Sequence, residues 1–189
     1  MNSPQDATFS DQVALLQQSD NAATAPDTEL EALGSLHIET LAEEARKLAQ
    51  TKYLAEKFGQ QPATVRKYVD LAWAEADKRD GIEPELLIAI MQKESSLRPR
   101  VQSRYGAQGL MQVVRRWHHD KLSPSESLFD PEVNIRVGAD ILEEYLELAG
   151  GSLIKALGKY SGSARGYPNR ILKESRKLAQ VAEQAATSG

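Results

Sequence analysis

MQKESSLRPRVQSRYGAQGLMQV, residues 91–113, joins the end of an apolar helix to a glycine-punctuated segment. The helix opens with Pro84 and continues ELLIAIMQKES until Pro99, whose ring disfavours helical geometry at Arg98. Glu94 follows Ile90 by four residues, Met91 by three and Leu87 by seven, so it sits on or near the apolar stripe. From the residues alone it reads in two ways. It is an exposed charge in a last helical turn, or a carboxyl at the edge of an apolar pocket. In the second case the charged form is disfavoured and the group suits a general acid. Beyond it, Gly106 and Gly109 flank Ala107, and Leu110 and Met111 lead to Gln112. That run is too apolar for a surface loop. It suggests backbone packed closely, with Ser103 and Gln112 turned to a polar ligand in a cleft.

Working outward, the spacing from Leu36 predicts a helix ending at Gly59, with Leu36, Leu41, Ala45, Leu48, Ala49, Leu54 and Phe58 on its apolar face. Pro62 then opens a second helix with Val65, Tyr68, Val69, Ala72, Trp73 and Ala76 inward, closing at a turn on Asp80 and Gly81. SPSESLFDPEVN at 123–134 reads as a loop, followed by a helix from Asn134 that closes on Gly150 and Gly151. A short helix over SLIKALGKYSG comes next, then a basic-faced one over NRILKESRKLAQVAEQAA with Ile171, Leu172, Leu178 and Val181 inward. No period-two run with hairpin turns is present. The fold class expected is mainly α: a single catalytic domain with a flexible N-terminal segment. Residues 1–34 are expected to be acidic and disordered, 35–60 a helix packing on the domain, and 61–189 the domain itself.

Composition narrows the function classes. The 189 residues include no cysteine, so disulfide and thiolate chemistry are excluded, while the compartment stays open. The longest apolar run, LLIAIM, is far too short to span a bilayer. The N-terminus lacks the basic and apolar regions of a secretory signal, so either a signal has been removed or export takes another route. The net charge of -4 is unevenly placed: residues 1–45 carry nine acids and no Lys or Arg, leaving 23 bases against 18 acids elsewhere. A mildly basic body suits an anionic polymer or is ordinary charge scatter. The bases are not interleaved with aromatics as a nucleic-acid surface needs, so no nucleic-acid partner is expected. His118 and His119 are adjacent and no HExxH or CxxC is present, so neither metal nor cofactor is expected. Asp120, Asp130 and Asp140 read as structural.

The order Glu94-Ser95, Ser103, Gly106-Ala107 and Gly109-Leu110-Met111-Gln112 resembles the signature of the soluble lytic transglycosylase catalytic domain, the family related to goose-type lysozyme. The segment from Val65 to Ser95 is similar to that family's lead-in helix, turn and catalytic helix. Asn134 and Gly138 resemble its Asn-x-x-x-Gly helix, and Tyr160 in ALGKYSG its Ala-x-x-x-Tyr-Asn-x-Gly element. The resemblance covers roughly residues 65–172 and departs from the pattern at Ser161, where Asn is usual, and at Val114-Arg115, where Met-Pro is common.

What the resemblance implies is a lysozyme-like fold that cleaves the β-1,4 bond between N-acetylmuramic acid and N-acetylglucosamine in peptidoglycan. A single glutamate serves there, because the substrate's 2-acetamido group assists and the muramic C6 hydroxyl closes a 1,6-anhydro ring. Glu94 would be acid then base. Ser103, Met111, Gln112 and Tyr160 would bind substrate, with the Tyr160 hydroxyl near the Glu94 carboxyl. Hydrolysis in the manner of goose-type lysozyme, or an inactive wall-binding scaffold on the same fold, are the alternatives. Arg115 and Arg116 beside Trp117 read either as a solvated turn or as contacts to peptide carboxylates and sugar. The expected setting is a monomer in the periplasm or at the cell wall, with peptidoglycan glycan strands and envelope-spanning assemblies as partners. The acidic N-terminal stretch is a linker, a docking segment or an inhibitory flap.

Overall fold

A computed structural model describes the backbone of residues 25–187 and the side chains of residues 31–187. The chain divides into two units, Met1–Ala42 and Glu43–Gly189. In order along the chain come α1 (Ala25–Phe58), α2 (Pro62–Ala76), α3 (Pro84–Ser95), β1 (Ala107–Gln108), β2 (Val113–Val114), two 3-10 turns (Arg115–Trp117 and His119–Lys121), α4 (Pro131–Leu148), α5 (Leu153–Tyr160) and α6 (Tyr167–Thr187). The protein is mainly α, as its periodicity requires. None of its described helices is long and apolar enough to cross a membrane.

Helix α3 is the centre of the larger unit. Every residue from Leu86 to Met91 is buried, so the helix has no solvent face along that run, and it packs against α6 on one side and α2 on the other. Proline starts α2, α3 and α4 because its missing N–H falls among the donors a helix start leaves unpaired anyway. Asp130 caps α4 by accepting from the Glu132 amide at 3.0 Å. The helix therefore begins at Pro131, three residues before the expected start at Asn134.

Helix α1 departs further from expectation. It opens at Ala25 and so includes residues 25–34 of the segment expected to be disordered, whereas residues 1–24 lie outside the described residues. Leu36 and Leu41, expected to face inward, are more than half exposed, as are Leu33 and Ile38. In the larger unit Leu48 is likewise exposed, while Leu54 and Ala55 are buried. What holds this end of α1 is partly polar. Gln50 donates to Glu85 at 2.6 Å and accepts from the Trp73 indole at 2.9 Å, a buried chain from α1 to α2 and α3. Lys57 donates to Gln92 at 2.8 Å and pairs with Glu174 of α6. A spacing rule registers apolar residues and is blind to such amide contacts.

The β1–β2 pair was not expected, since two residues per strand leave no alternation to detect. It is antiparallel, with Ala107 opposite Val114 and Gln108 opposite Val113. In the turn after α2, the Arg79 side chain is almost wholly buried and pairs with Glu75 at 2.7 Å, with Asp140 and with Glu143. The Asp140 expected to be structural is therefore one side of a buried ion network joining α2 to α4.

Candidate active site

Glu94 lies in the last turn of α3, and the residues at spacings of three, four and seven before it, Met91, Ile90 and Leu87, are fully buried. Its own side chain is half-buried, so it is anchored from below and reachable from above. Burial raises its pKa above the ordinary carboxyl value. A hydrogen bond from Tyr167 and the nearby Lys93 ammonium act in the opposite direction without cancelling the rise. The Tyr167 hydroxyl donates to Oε1 of Glu94 at 2.6 Å. Tyr167 is the first residue of α6 and is almost fully buried, and burial together with the Glu94 charge pushes its phenol far up, so it stays a donor.

The tyrosine expected beside the carboxyl was Tyr160. Its hydroxyl instead donates to the Met111 carbonyl at 2.9 Å. The Glu94 charge, after burial, is a further cause of its raised pKa, so the two groups share one neighbourhood. Tyr167 was missed because, although it lies within the stretch of resemblance, it belongs to none of the motifs that carry it. Its only sequence signal was a helix start at Gly166-Tyr167-Pro168.

Immediately after Glu94 the chain turns through Ser96 and Leu97, both in the left-handed region with φ of 54° and 59°. Such a backbone is strained in residues other than glycine. The Gln60 side chain, from the α1–α2 link, donates to both their carbonyls, at 3.0 and 3.1 Å. The end of α3 is thereby clamped by a residue 34 positions away in sequence from Glu94.

The glycine-rich segment is explained by Asn134. This residue is fully buried at the start of α4, and its Oδ1 accepts from the Met111 amide at 2.7 Å. Its Nδ2 donates to the Gln108 and Leu128 carbonyls, each at 2.8 Å. One amide side chain thus satisfies three otherwise buried backbone groups. Gly109, at φ +78°, passes so close that a Cβ there would overlap the Asn134 amide. Gly138, one helical turn on, admits Met111: a Cβ there would sit 2.5 Å from the Met111 sulfur. Met111 is consequently wholly buried, and its main chain, not its thioether, is what it shares with Tyr160.

Gln112 adopts φ 51° and its amide nitrogen donates to the Gly109 and Val101 carbonyls at 3.0 and 3.2 Å. Ser103 makes a local turn: its hydroxyl oxygen accepts from the Ala107 amide at 3.1 Å. The two departures from the family pattern are locally accounted for. Ser161 bonds the Gly158 carbonyl at 3.0 Å and closes the end of α5, and Arg115 donates to the Glu126 carbonyl. A cavity of about 900 Å³ lies along α4, lined among others by Lys121, Glu126, Arg136, Asp140 and Glu144. Most of its carboxylates are paired, among them Glu144 with Lys121 at 2.8 Å and Glu126 with Arg136 at 2.8 Å, and it contains none of the groups around Glu94. We assign it no part in the chemistry.

Residues 71–181, more than half of the chain, match the family described as "Transglycosylase SLT domain". The chain belongs to this family. This SLT domain is 31% identical to invasion protein IagB of Salmonella typhi over 128 residues, which is 59% of this chain and 79% of that protein. It is 44% identical over 89 residues to membrane-bound lytic murein transglycosylase C of Pectobacterium atrosepticum, covering 40% of this chain and 24% of that protein. Among solved structures, the 70 kDa soluble lytic transglycosylase of Escherichia coli aligns with 75% of the SLT chain and 26% of its own, at 23% identity and a TM-score of 0.49.

Proposed function

We propose that this chain is a peptidoglycan lytic transglycosylase that cleaves between N-acetylmuramic acid and N-acetylglucosamine, with Glu94 as acid and then base. Membership of the transglycosylase SLT family supports the reaction class, and relatives named for murein support the substrate. The observation that carries the assignment to Glu94 is the 2.6 Å bond from the Tyr167 hydroxyl to a half-buried carboxyl whose pKa is raised.

The chemistry follows from that arrangement. Burial keeps Glu94 protonated to higher pH than an ordinary carboxyl, so it can give its proton to the departing O4 of N-acetylglucosamine as the bond to muramic C1 breaks. With Oε1 held by Tyr167, the other oxygen is the one that faces substrate. The 2-acetamido group of the muramic residue covers the positive charge that develops at C1, which is why one carboxylate suffices where glycosidases ordinarily need two. Glu94, now ionised, takes the proton of the muramic C6 hydroxyl, whose oxygen closes on C1. The proton count returns to its start and no water is consumed.

Ser103 and Gln112 complete the grip. Each uses part of its side chain to hold local backbone, leaving the Ser103 O–H and the Gln112 amide oxygen for the sugar or its acetamido group. Tyr160, through the Met111 carbonyl, holds the segment that carries Gln112. The enzyme works in the cell envelope, where its substrate is, and on the periplasmic side.

Mass spectrometry of products from purified sacculi tests the reading, because 1,6-anhydro ends weigh one water less than reducing ends. Reducing ends alone would exclude transglycosylation in favour of hydrolysis. Equal clearing by Glu94→Gln and the parent would remove Glu94 from the mechanism.

A further inference from the structure

Beside the β1–β2 pair stand two exposed aromatic rings, each with an arginine over it. The Arg104 guanidinium lies 4.9 Å from the Tyr105 ring centroid and that of Arg116 4.9 Å from the Trp117 centroid. Tyr105 is 66% and Trp117 63% exposed, although both rings are large enough to stabilise a core if buried. Both arginines are exposed as well, and among the described residues neither has a carboxylate partner. Arg115, between β2 and Arg116, is by contrast committed to the Glu126 carbonyl.

A cavity of about 520 Å³ reaches both pairs, through Tyr105 and Arg116, and is also lined by Gln102, Gln108 and His119; no lining residue carries a carboxyl. Its wall is held by the same residue that orders the segment leading to Gln112: Asn134 bonds the Gln108 carbonyl and the Met111 amide. The site is therefore built on rigid backbone even though its side chains are exposed.

The chemistry selects the ligand. A flat aromatic face accepts the C–H surface of a sugar ring, and a guanidinium stacked on an aromatic is already oriented for two-pronged binding of a carboxylate. We propose that this cavity and its two arginine–aromatic pairs form a subsite for carboxylate-bearing glycan, engaging the strand outside the sugars held at Glu94. The proposal rests on the peptidoglycan reading above. Carboxylates on such a strand come from the stem peptide or, where the peptide has been removed, from the lactyl ether of muramic acid, and both fit. A single-stranded nucleic acid also offers rings and negative charge, but two free cations make a meagre phosphate track.

The test uses the full chain carrying Glu94→Gln, so that binding is read without turnover. Three probes are titrated at low salt: glycan strands with intact stem peptides, strands stripped by an amidase so that only lactyl carboxylates remain, and chitooligosaccharide, which has none. Arg104→Gln with Arg116→Gln is expected to weaken binding of stem-bearing strands about tenfold and to leave chitooligosaccharide unchanged. Tyr105→Ala with Trp117→Ala weakens all three. Stripped strands that weaken as stem-bearing ones do show that the site takes a free lactyl carboxylate as well as a peptide carboxylate, and stripped strands that respond like chitooligosaccharide restrict it to the peptide.

The proposal is overturned if the arginine variant binds every probe as its parent does. It is equally overturned if a single-stranded oligonucleotide binds more tightly than any glycan through the same four residues. In either case release of anhydro products by the protein with native Glu94 keeps the catalytic reading intact. Absence of that release removes both.

Discussion

Tyr167, the first residue of α6, donates its hydroxyl hydrogen to Oε1 of Glu94, in the last turn of α3, at 2.6 Å across 73 residues of sequence. The bond fixes which carboxyl oxygen is free and lowers a pKa that burial has raised. Tyr167→Phe should therefore reduce kcat by roughly tenfold or more, with a smaller change in KM, because orientation of the acid is lost while the sugar contacts remain. Losing a bond that favours the carboxylate raises the Glu94 pKa further. The limb on which activity falls with rising pH should move to higher pH. A kcat–pH profile that keeps the parental position would show that Tyr167 is only part of the packing.

Glu94→Gln should lower turnover of sacculi by about 10²–10⁴-fold. Its stability should depend on pH in one direction. The folded carboxyl has a pKa above the unfolded one, so the parent loses stability as pH rises through the ordinary carboxyl range and up to the folded pKa. Glutamine removes that loss. The Tm difference between variant and parent should be near zero in acid, grow across that window and then level off. Thermal melts from about pH 3 to about pH 8 check it, and a constant difference would contradict the burial of the carboxyl.

Asn134→Ala should cost about 3 kcal/mol or more in urea unfolding, since one N–H and two carbonyls lose their partner inside the protein. Gly138→Ala should cost about 1–3 kcal/mol by driving a methyl into the Met111 sulfur. Combining Gly138→Ala with Met111→Ala should cost less than the sum of the two, because the second change opens the space the first one needs.

Gln60→Ala should destabilise by about 1 kcal/mol, through the loss of its bonds to the Ser96 and Leu97 carbonyls. Ser96→Gly should recover a comparable amount, as glycine occupies φ 54° without strain. Measuring kcat in the two variants separates a clamp that positions Glu94 from one that merely stabilises the turn: only the first predicts a drop in Gln60→Ala that Ser96→Gly reverses.

Sequence alone settled what local physics governs. Prolines at the starts of α2 and α3, glycine at the end of α1, and the continuous apolar run of α3 each act over one or two turns, so the helices they bound were legible. The offsets from Glu94 to Gln112 and the Asn134–Gly138 pair were legible as a pattern, though not the reason for them. Tertiary structure supplied that reason, since Gly109 and Gly138 are small because Asn134 and Met111 occupy the space a Cβ would take. It also decided which tyrosine meets the carboxyl and which residues of α1 within the larger unit are buried. Those outcomes depend on where α1 and α6 come to rest against α3, on groups brought together across tens to more than a hundred residues. A hydrogen bond between such groups leaves no periodic trace in the chain.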